Sequence, residues 1–366
     1  MKVTKKLEVL FIARRFPPSI GGMERFAFDL SNSLKPFAKM HKVTWGGSNK
    51  WLPIILPLFF IRSSFLLITN KNIKVIHIQD AVQAPVGWLL HIFFKKPYVV
   101  VAHGLDITYQ NSFYQKVVIP FVRKADAVIC ISTATKDEAL KRGVDESVLQ
   151  VVTLGTVDDY GKVRADKKKL AKQMGYNLDE RLIILTTGRL VKRKGVEWFI
   201  RNVLPEITNS HKEILYIIAG DGVEREAIEN TIKSSKMEKH AIMLGRVSDE
   251  IRSLLYQSSD IFVMPNIRVP GDMEGFGIVA HEAATAALPV VASSLEGIND
   301  AIINGKNGIL IEPNNTQQFV DAIIKLVKDK DLRSRLGRKA RKYTLSAYSW
   351  QNIARKYNNI YNKIIN

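Results

Sequence analysis

The feature that most restricts the fold of this chain is a repeated unit: a short apolar run, a Gly or polar turn, and then a helical pattern. An uninterrupted apolar run is typical of a parallel strand that is covered on both faces. Parallel strands joined by helices form right-handed crossovers, so the pattern predicts an α/β fold with doubly wound parallel sheets. The predicted strands are 9–13, 74–79, 97–102, 125–132, 149–155, 182–187, 214–219, 241–244, 261–264 and 289–292.

Length and a break in composition divide the predicted fold in two. A chain of 366 residues is long enough for two domains, each with a full core. Between about 156 and 180 the chain turns polar, as is typical of a domain boundary. We therefore predict one Rossmann-like domain over 1–160 and a second over 178–345. Helices are expected to close the chain at about 316–328, 331–343 and 349–364.

The positive charge of the chain is concentrated near its start. The formal net charge is +19, and residues 1–125 carry 18 Lys and Arg against 5 Asp and Glu. Nucleic acid, an anionic membrane surface and a phosphate-bearing substrate are the partners that suit such a field. The sequence has no zinc-finger spacing, RNP-like aromatic motif or basic recognition helix. Nucleic acid is therefore not expected as a partner.

Cysteine usage and the N-terminus both favour the cytoplasm. The one cysteine, Cys130, lies in an apolar strand pattern, which excludes a disulfide framework and a cysteine-based metal site. That usage suits a reducing compartment. The first residues lead into a strand without a small-residue cleavage site, so no signal peptide is expected.

Residues 51–68 form an apolar stretch that approaches the length of a membrane span. Two prolines, two serines and Arg62 argue against a spanning helix. Two interpretations remain open: a helix wholly packed on its own sheet, or a helix buried on one side with the other side in the lipid interface. The basic residues that flank the stretch are Lys50, Lys71 and Lys74.

Glycine and polar residues gather where the predicted strands end. Residues just beyond the carboxyl ends of parallel strands line the ligand crevice of an open sheet. A guanidinium and an ammonium five residues apart, as in Arg189 and Lys194, suit two adjacent phosphates. The glycine loop that enters a helix at 274–282 suits a sugar and phosphate ligand. The strand-end residues are Gly21, Gly22 and His103 in the first domain, and Arg189, Lys194, 220–222, Arg246, Val247 and 274–282 in the second.

In their order, these segments resemble the retaining glycosyltransferases of the GT-B fold, specifically the fourth family with its E-x7-E signature. The resemblance implies two Rossmann-like doubly wound domains facing across a cleft, an acceptor-side domain first and a donor-binding domain second. It also implies that a final helix, about 349–366, crosses back onto the first domain. The segments that carry it span nearly the whole chain: Gly21-Gly-x-Glu-Arg25, His103-Gly-x-Asp106, Gly188-Arg-Leu190 with Lys194-Gly195, Gly220-Asp-Gly222, Glu274-Gly-Phe-Gly277 with Glu282-Ala283, and Leu288-Pro-Val-Val-Ala292.

The resemblance implies a role for each matching residue. Arg189 and Lys194 would hold the diphosphate of a nucleotide-sugar, Glu274 the sugar hydroxyls and Glu282 the ribose hydroxyls, while His103 would lie near the reacting carbon. The catalytic candidates are Glu274, His103, Arg189 and Lys194. The donor-binding candidates are Gly22, Arg189, Lys194, Val247, Glu274, Phe276, Gly277, Ile278 and Glu282, and the acceptor-side candidates are Gly21, Glu24, Arg25 and Asp106.

The implied reaction moves a hexose-type sugar from a UDP- or GDP-sugar to a lipid-linked or membrane-proximal glycan acceptor. Retention would follow from attack on the leaving-group face, with the leaving phosphate as the base. No metal or other cofactor is expected if Arg189 and Lys194 supply the positive charge, and Asp272 is not part of a D-x-D motif. Peripheral association at the cytoplasmic face of a membrane is the expected location.

Two other functions stay open. A nucleotide-sugar 2-epimerase of the same fold would need an acid pair that acts on the sugar and no acceptor. A non-catalytic GT-B scaffold should have lost Arg189, Lys194 or a signature Glu, and all of these are present.

The chain departs from the family pattern in four places. The departures are Gly275 where many relatives have Pro, Ala287 in place of Gly, Leu154-Gly-Thr-Val-Asp158 in place of Asn-Gly-Val-Asp, and Asp300 in place of Glu.

Overall fold

The computed structural model describes residues 6–19, 21–160 and 167–365. The chain divides into two compact units. The first unit runs to Gly155 and takes in the residues from Tyr348 onward, and the second runs from Thr156 to Ala347. The chain thus leaves the first unit once and returns to it with its last helix.

The first unit is built on a six-stranded parallel sheet in the order β2-β1-β3-β4-β5-β6. Helices cover both faces of the sheet, because the crossovers on either side of β1 run in opposite directions. The strands are β1 (Leu7–Ala13), β2 (Ala38–Thr44), β3 (Ile73–Ile78), β4 (Tyr98–Ala102), β5 (Ala127–Cys130) and β6 (Leu149–Val151). The helices are α1 (Gly22–Ser33), α2 (Leu52–Thr69), α3 (Ala84–Phe94), α4 (Leu105–Thr108), α5 (Ser112–Val117), α6 (Ile119–Arg123) and α7 (Thr133–Lys141).

The second unit repeats this plan with the strand order β12-β11-β10-β7-β8-β9. Read from β9, this is the doubly wound order of dinucleotide-binding sheets, with its switch point between β7 and β10. The strands are β7 (Leu182–Thr187), β8 (Ile214–Ala219), β9 (Ala241–Gly245), β10 (Ile261–Met264), β11 (Val290–Ser293) and β12 (Ile309–Ile311). The helices are α8 (Lys167–Met174), α9 (Val196–Asn202), α10 (Leu204–Ser210), α11 (Arg225–Ser234), α12 (Asp249–Ser258), α13 (Ile278–Thr285), α14 (Ile298–Ala301), α15 (Thr316–Lys328) and α16 (Lys330–Ala347).

The last helix, α17 (Trp350–Ile365), packs on the first unit. Its Tyr361 hydroxyl lies 2.8 Å from Nδ1 of His77, a buried residue of β3. Burial lowers the pKa of His77 to about 4, so the ring is neutral at physiological pH. Trp350 stacks on Phe26 of α1 with ring centroids 5.6 Å apart. The helix therefore completes the face of the sheet that α1 covers.

The buried strands agree with the sequence prediction, and two edge strands were missed. The strands β7, β8 and β10 have the predicted bounds, and all their residues are buried. The missed strands, β2 and β12, lie at sheet edges. Lysines interrupt β2, so it forms no apolar run, and β12 is an apolar run of only three residues. The strand predicted over 149–155 ends at Val151, because β6 is also an edge strand.

The helix α2 is not wholly packed on its sheet, so that interpretation of residues 51–68 is wrong. Its buried residues are Ile55, Phe59, Ser63 and Leu67, which form one narrow stripe at a spacing of four. Within the described ranges, Asn49–Thr69 is long and apolar enough to cross a membrane. Only 22% of its most apolar 18 residues are buried. Most of this apolar helix is left outside the core.

Candidate functional site

The loops that follow β7 and β10 are packed together at the switch point of the second sheet. Gly195 adopts a left-handed φ of 63°, and a Cβ at this position would overlap the carbonyl oxygen of Pro265. The amide of Ile267 donates to the carbonyl oxygen of Arg193 at 2.9 Å. Only glycine allows so close an approach of the two backbones. The contact brings Lys194 next to residues that lie about 70 to 80 positions later in the chain.

Glu274 lies at the centre of the buried cluster that results. Its Oε2 atom accepts a hydrogen bond from Lys194 Nζ at 2.5 Å and another from Asn266 Nδ2 at 3.1 Å. Arg193 Nε lies 3.6 Å from the same oxygen. Because all three contacts fall on Oε2, they leave Oε1 as the oxygen for a further donor.

The surroundings of Glu274 keep it ionised. Burial alone would raise the pKa of this carboxyl. The charges of Lys194 and Arg193 and the hydrogen bonds from Lys194 and Asn266 lower the pKa by more than burial raises it. The net result is a pKa below the ordinary value of a glutamate. An ionised carboxylate only accepts hydrogen bonds, so Glu274 suits hydroxyl binding and does not suit proton donation.

Arg193 and Asp272 complete the cluster, and sequence reasoning missed their roles. Arg193 Nη1 donates to both carboxylate oxygens of Asp272, at 2.9 and 3.1 Å. The carboxylate of Asp272 is therefore bound to a guanidinium. Across 6–19, 21–160 and 167–365, no group of three or more His, Cys, Asp or Glu residues is arranged to hold a metal ion.

Glu296 is a second acid beside Glu274 that the sequence did not indicate. Its Oε2 accepts a hydrogen bond from the backbone amide of Glu274 at 2.5 Å. Glu296 has a left-handed φ of 48°, which is uncommon for a residue other than glycine. Burial and the negative charge of Glu274 raise the pKa of Glu296. The two neighbouring carboxyls thus have pKa values shifted in opposite directions.

Glu282, the other acid of the signature, has separate partners. It lies one turn into α13, which begins after Gly277 in a left-handed conformation with φ of 86°. The hydroxyl of Tyr256 donates to Glu282 Oε2 at 2.8 Å and lies 2.6 Å from Thr187 Oγ1. Burial and the charge of Glu282 hold the pKa of Tyr256 well above its ordinary value. The protonated tyrosine therefore fixes the orientation of the Glu282 carboxylate.

The other donor-side residues are placed around these two acids. Arg189 follows β7 and is exposed, and its side chain forms no ion pair with the residues that the structure describes. Val247 is half-buried after β9, and Ile278 is the first residue of α13. The ring of Phe276 is buried against His281 with centroids 5.0 Å apart, so only its main chain is available to a ligand.

In the first unit, His103 and Gly22 lie near the carboxyl edge of the sheet. His103 Nε2 lies 2.8 Å from the carbonyl oxygen of Gln79, so this nitrogen carries the proton and donates it. The ring packs edge-on against Phe26 of α1 with centroids 5.5 Å apart. A Cβ at Gly22 would meet no described atom within 4 Å. Packing in the described structure therefore does not require glycine at Gly22, which leaves backbone access as a reason for it.

The predicted acceptor-side residues mostly make contacts within the fold. Asp106 accepts backbone hydrogen bonds from His103 at 2.7 Å and from Ala81 at 3.0 Å. Glu24 is buried and its carboxylate pairs with Arg15 at 3.0 Å. Arg25 pairs with Asp29 one helical turn later, at 3.5 Å. Asp106 and Glu24 thus hold loop residues in place, Arg25 pairs within α1, and Gly21 precedes the first residue of α1.

Comparison with known proteins gives family and fold likenesses. A family model described as "Glycosyl transferases group 1" matches residues 166–343, and one described as "Glycosyltransferase Family 4" matches residues 37–159. An uncharacterised glycosyltransferase of Methanocaldococcus jannaschii is 30% identical over 298 residues, which are 78% of this chain and 74% of the relative. The GDP-mannose-dependent alpha-(1-6)-phosphatidylinositol monomannoside mannosyltransferase of Mycobacterium tuberculosis is 26% identical over 63% of this chain and 60% of its own length.

The same fold occurs in a solved structure. The crystal structure of HepE from Anabaena in complex with UDP and glucose matches with a TM-score of 0.76 at 18% identity, over 96% of this chain and 98% of that one. At this identity the likeness shows the fold alone. It confirms the predicted fold class, GT-B with two Rossmann-like doubly wound parallel sheets.

Proposed function

The chain belongs to the glycosyltransferases, and we propose that it uses a nucleotide-sugar, as the names of similar proteins indicate for those proteins. In this proposal it moves a hexose-type sugar from a UDP- or GDP-sugar, with retention of configuration. The acceptor in this proposal is a lipid-linked or membrane-proximal glycan. The enzyme would work peripherally, at the cytoplasmic face of a membrane. The basic first third of the chain supports that location.

The observation that carries the proposal is the cluster on Glu274. Its ionised carboxylate is held through Oε2 by Lys194, Asn266 and the nearby Arg193, which leaves Oε1 for a sugar hydroxyl. A hydrogen bond from a hydroxyl to a charged acceptor is stronger than one between neutral groups. Glu296 positions the same residue through its backbone amide. Glu274 is therefore proposed to bind and orient the donor sugar.

Lys194 and Arg189 are the groups proposed for the diphosphate. An ammonium carries three N–H donors, so Lys194 can bind a phosphate oxygen while it stays beside Glu274. Arg189 is exposed at the end of β7 and offers a planar guanidinium. Their charges would stabilise the negative charge that builds on the leaving nucleotide, a contribution that usually dominates such catalysis. The proposal needs no metal ion for this step.

The remaining donor contacts are proposed for α13 and the loop after β9. Glu282, held by Tyr256, would accept hydrogen bonds from the ribose hydroxyls. The amides of Phe276, Gly277 and Ile278 lie at the start of α13, where a helix favours an anionic or hydroxyl-rich group. Val247 and its main chain would frame the base.

Retention is proposed to follow from attack on the same face that the nucleotide leaves. The bond from the anomeric carbon to the β-phosphate oxygen breaks, the acceptor oxygen bonds to that carbon, and the leaving phosphate takes the acceptor's proton. The Nε2 proton of His103 is directed to Gln79, so Nδ1 is the nitrogen that faces substrate in this proposal. Gly22 would admit the phosphate close to the backbone.

Released nucleotide is the readout that tests this function. The protein is incubated with UDP- and GDP-sugars together with membrane extract, and UDP or GDP is measured for wild type, Lys194→Ala and the neighbouring control Lys192→Ala. We expect release with one class of donor, loss of release in Lys194→Ala, and wild-type release in the control. No release with any donor contradicts the proposal, and turnover of a UDP-sugar without acceptor to its 2-epimer indicates the epimerase instead.

A further inference from the structure

The exposed side of α2 carries a continuous apolar stripe. Six large apolar side chains follow one another at spacings of three or four residues, so they lie on one face of the helix. Each is between 41% and 65% exposed. At 1.5 Å per residue the stripe is about 25 Å long. Its members are Trp51, in the 3₁₀ turn that precedes α2, and Ile54, Leu58, Ile61, Phe65 and Ile68.

The neighbouring helix α3 widens this stripe into a surface. Phe93 is 67% exposed, and its ring lies 5.9 Å from that of Phe60 of α2. Leu89 and Ile92 of α3 are also exposed. Apolar surfaces of this size are uncommon on monomeric soluble proteins and mark sites of association. We call the exposed side chains of α2 and α3 the α2–α3 face.

The charges around the α2–α3 face are almost all of one sign. From residue 50 to residue 96 the one acidic residue is Asp80, which is buried and pairs with Arg14 at 2.9 Å. The exposed apolar surface is therefore bordered by cations without exposed acids in the same segment. The basic residues of the segment are Lys50, Arg62, Lys71, Lys74, Lys95 and Lys96.

Three of these lysines form a positive group beside the ends of α2 and α3. Burial lowers the pKa of Lys96, and the charges of Lys74 and Lys71 lower it further. Lys71 and Lys74 follow α2, and Lys96 follows α3, at the edge of the sheet where β3 and β4 begin. Ammonium groups that repel one another in this way are stabilised by an anionic surface.

We infer that the α2–α3 face docks on an anionic lipid bilayer, with α2 lying in the plane of the interface. The apolar stripe enters the boundary between headgroups and acyl chains, and the lysines contact lipid phosphates. Arg62 lies beside the stripe, and its long side chain reaches back to the headgroups. A second copy of the chain fits less well, because two such faces would bring like charges together. A spanning helix fits less well because Ile55, Phe59 and Leu67 would have to leave the core.

Docking in this way would also bring the acceptor-side loops toward lipid. Arg14, which follows β1, donates to Asn49 Oδ1 at 2.9 Å, immediately before α2. The stripe therefore begins at the carboxyl edge of the first sheet, where Gly22 and His103 lie. This consequence for the acceptor rests on the proposed function, whereas docking itself does not depend on the proposed transfer reaction.

Binding to vesicles tests the inference without any assay of transfer. The full chain is sedimented with vesicles of phosphatidylcholine alone or of phosphatidylcholine and phosphatidylglycerol in a 3:1 ratio. Binding to the anionic vesicles only is expected, and it should weaken as salt is added, because salt screens the lysines. Ile61→Ser with Phe65→Ser should weaken it about tenfold or more, since each side chain loses its burial in the acyl region.

Matched controls show whether a loss of vesicle binding is specific to the α2–α3 face. Val223→Ser removes an apolar side chain that is even more exposed, at 85%, but lies in the second unit. Lys212→Gln with Lys233→Gln is the matched control for Lys71→Gln with Lys74→Gln. The controls should bind as wild type does, and the Lys71 and Lys74 pair should lose affinity for anionic vesicles. A far-ultraviolet spectrum and thermal midpoint like those of wild type show that each variant folds.

Trp51 gives a second readout that does not depend on destabilising changes. Its fluorescence should shift to the blue and be quenched by brominated lipid, and Trp51→Phe should remove that change. Three results would overturn the inference: no binding of wild type to anionic vesicles, association that resists alkaline carbonate as a spanning helix does, or a dimer that Ile61→Ser with Phe65→Ser dissociates.

Discussion

The Glu274 cluster and the α2–α3 face treat charge and apolar surface in opposite ways. Around Glu274, acids and bases are paired with one another at distances of 2.5 to 3.6 Å, and their side chains are only 10% to 32% exposed. In the segment 50–96, which contains the α2–α3 face, the exposed charges are all positive, and large apolar side chains are exposed among them. A compensated, rigid group can select a small polar ligand by geometry, whereas an uncompensated surface binds a broad anionic one. We therefore expect the second unit to determine which donor is bound and the first unit to determine where in the cell the enzyme is located.

The largest expected effect is on turnover, from Glu274→Gln. The change removes the charge that is proposed to orient the donor sugar but keeps the shape of the side chain. We expect kcat to fall roughly 100-fold or more, as for other groups that act in the transition state. Steady-state release of nucleotide measures it. Glu226→Gln, an exposed acid on α11, is the matched control and should keep the wild-type rate; equal rates in the two variants would contradict the assignment.

The next effect is on donor affinity, from Lys194→Ala. Loss of a charged hydrogen bond to phosphate costs about 1.5–3 kcal/mol, which is roughly 10- to 150-fold in Kd. Titration calorimetry with the free nucleoside diphosphate measures the change. Lys192→Ala, on the same loop but exposed, should leave Kd unchanged. A similar loss in both would show that the loop attracts anions in general and would remove the contrast with the α2–α3 face.

A smaller effect is expected from Glu282→Ala, and it should depend on the ribose. The variant should bind the nucleoside diphosphate about tenfold more weakly, because a charged hydrogen bond to the hydroxyls is lost. The wild type should prefer the ribonucleotide over its 2′,3′-dideoxy analogue, and Glu282→Ala should not. If the variant keeps that preference, Glu282 does not bind the ribose.

The smallest effect is a change in pH dependence from Glu296→Gln. Its raised pKa means that Glu296 takes up a proton before Glu274 as the pH falls, and it then accepts the Glu274 amide less well. Wild-type turnover should therefore decline on the acid side at a pH above the ordinary glutamate range. Glu296→Gln cannot titrate, so its profile should be flatter there. An unchanged profile would assign the acid limb to another group.

The fold could be predicted from the sequence where burial alone decides it. Strands such as β7 and β8 are buried on both faces, so almost every residue is apolar, apart from Thr186 and Thr187 at the end of β7, and the run is visible. The edge strand β2 alternates half-exposed and buried residues with lysines and therefore gave no run. The apolar length of α2 was visible too, but which of its faces is buried depends on its packing against the sheet.

The site could be predicted only as a set of separate loops. Glu274 and Lys194 stood out through their motifs, but their contact depends on the close approach of Gly195 to Pro265, which no local pattern encodes. Asn266 and Asp272 gave no signal because their roles arise from partners in distant loops. Glu296 acts through a backbone amide, which any residue type provides, so its role could not be read from spacing.

We propose that Glu274 recognises the sugar of the donor and not its nucleotide. The most direct measurement compares the affinities of wild type and Glu274→Gln for the nucleotide-sugar and for the free nucleoside diphosphate, by titration calorimetry. We expect the variant to lose affinity or enthalpy for the nucleotide-sugar while its Kd for the free diphosphate stays within about twofold of wild type. Equal weakening of both ligands would contradict it and place Glu274 at the diphosphate.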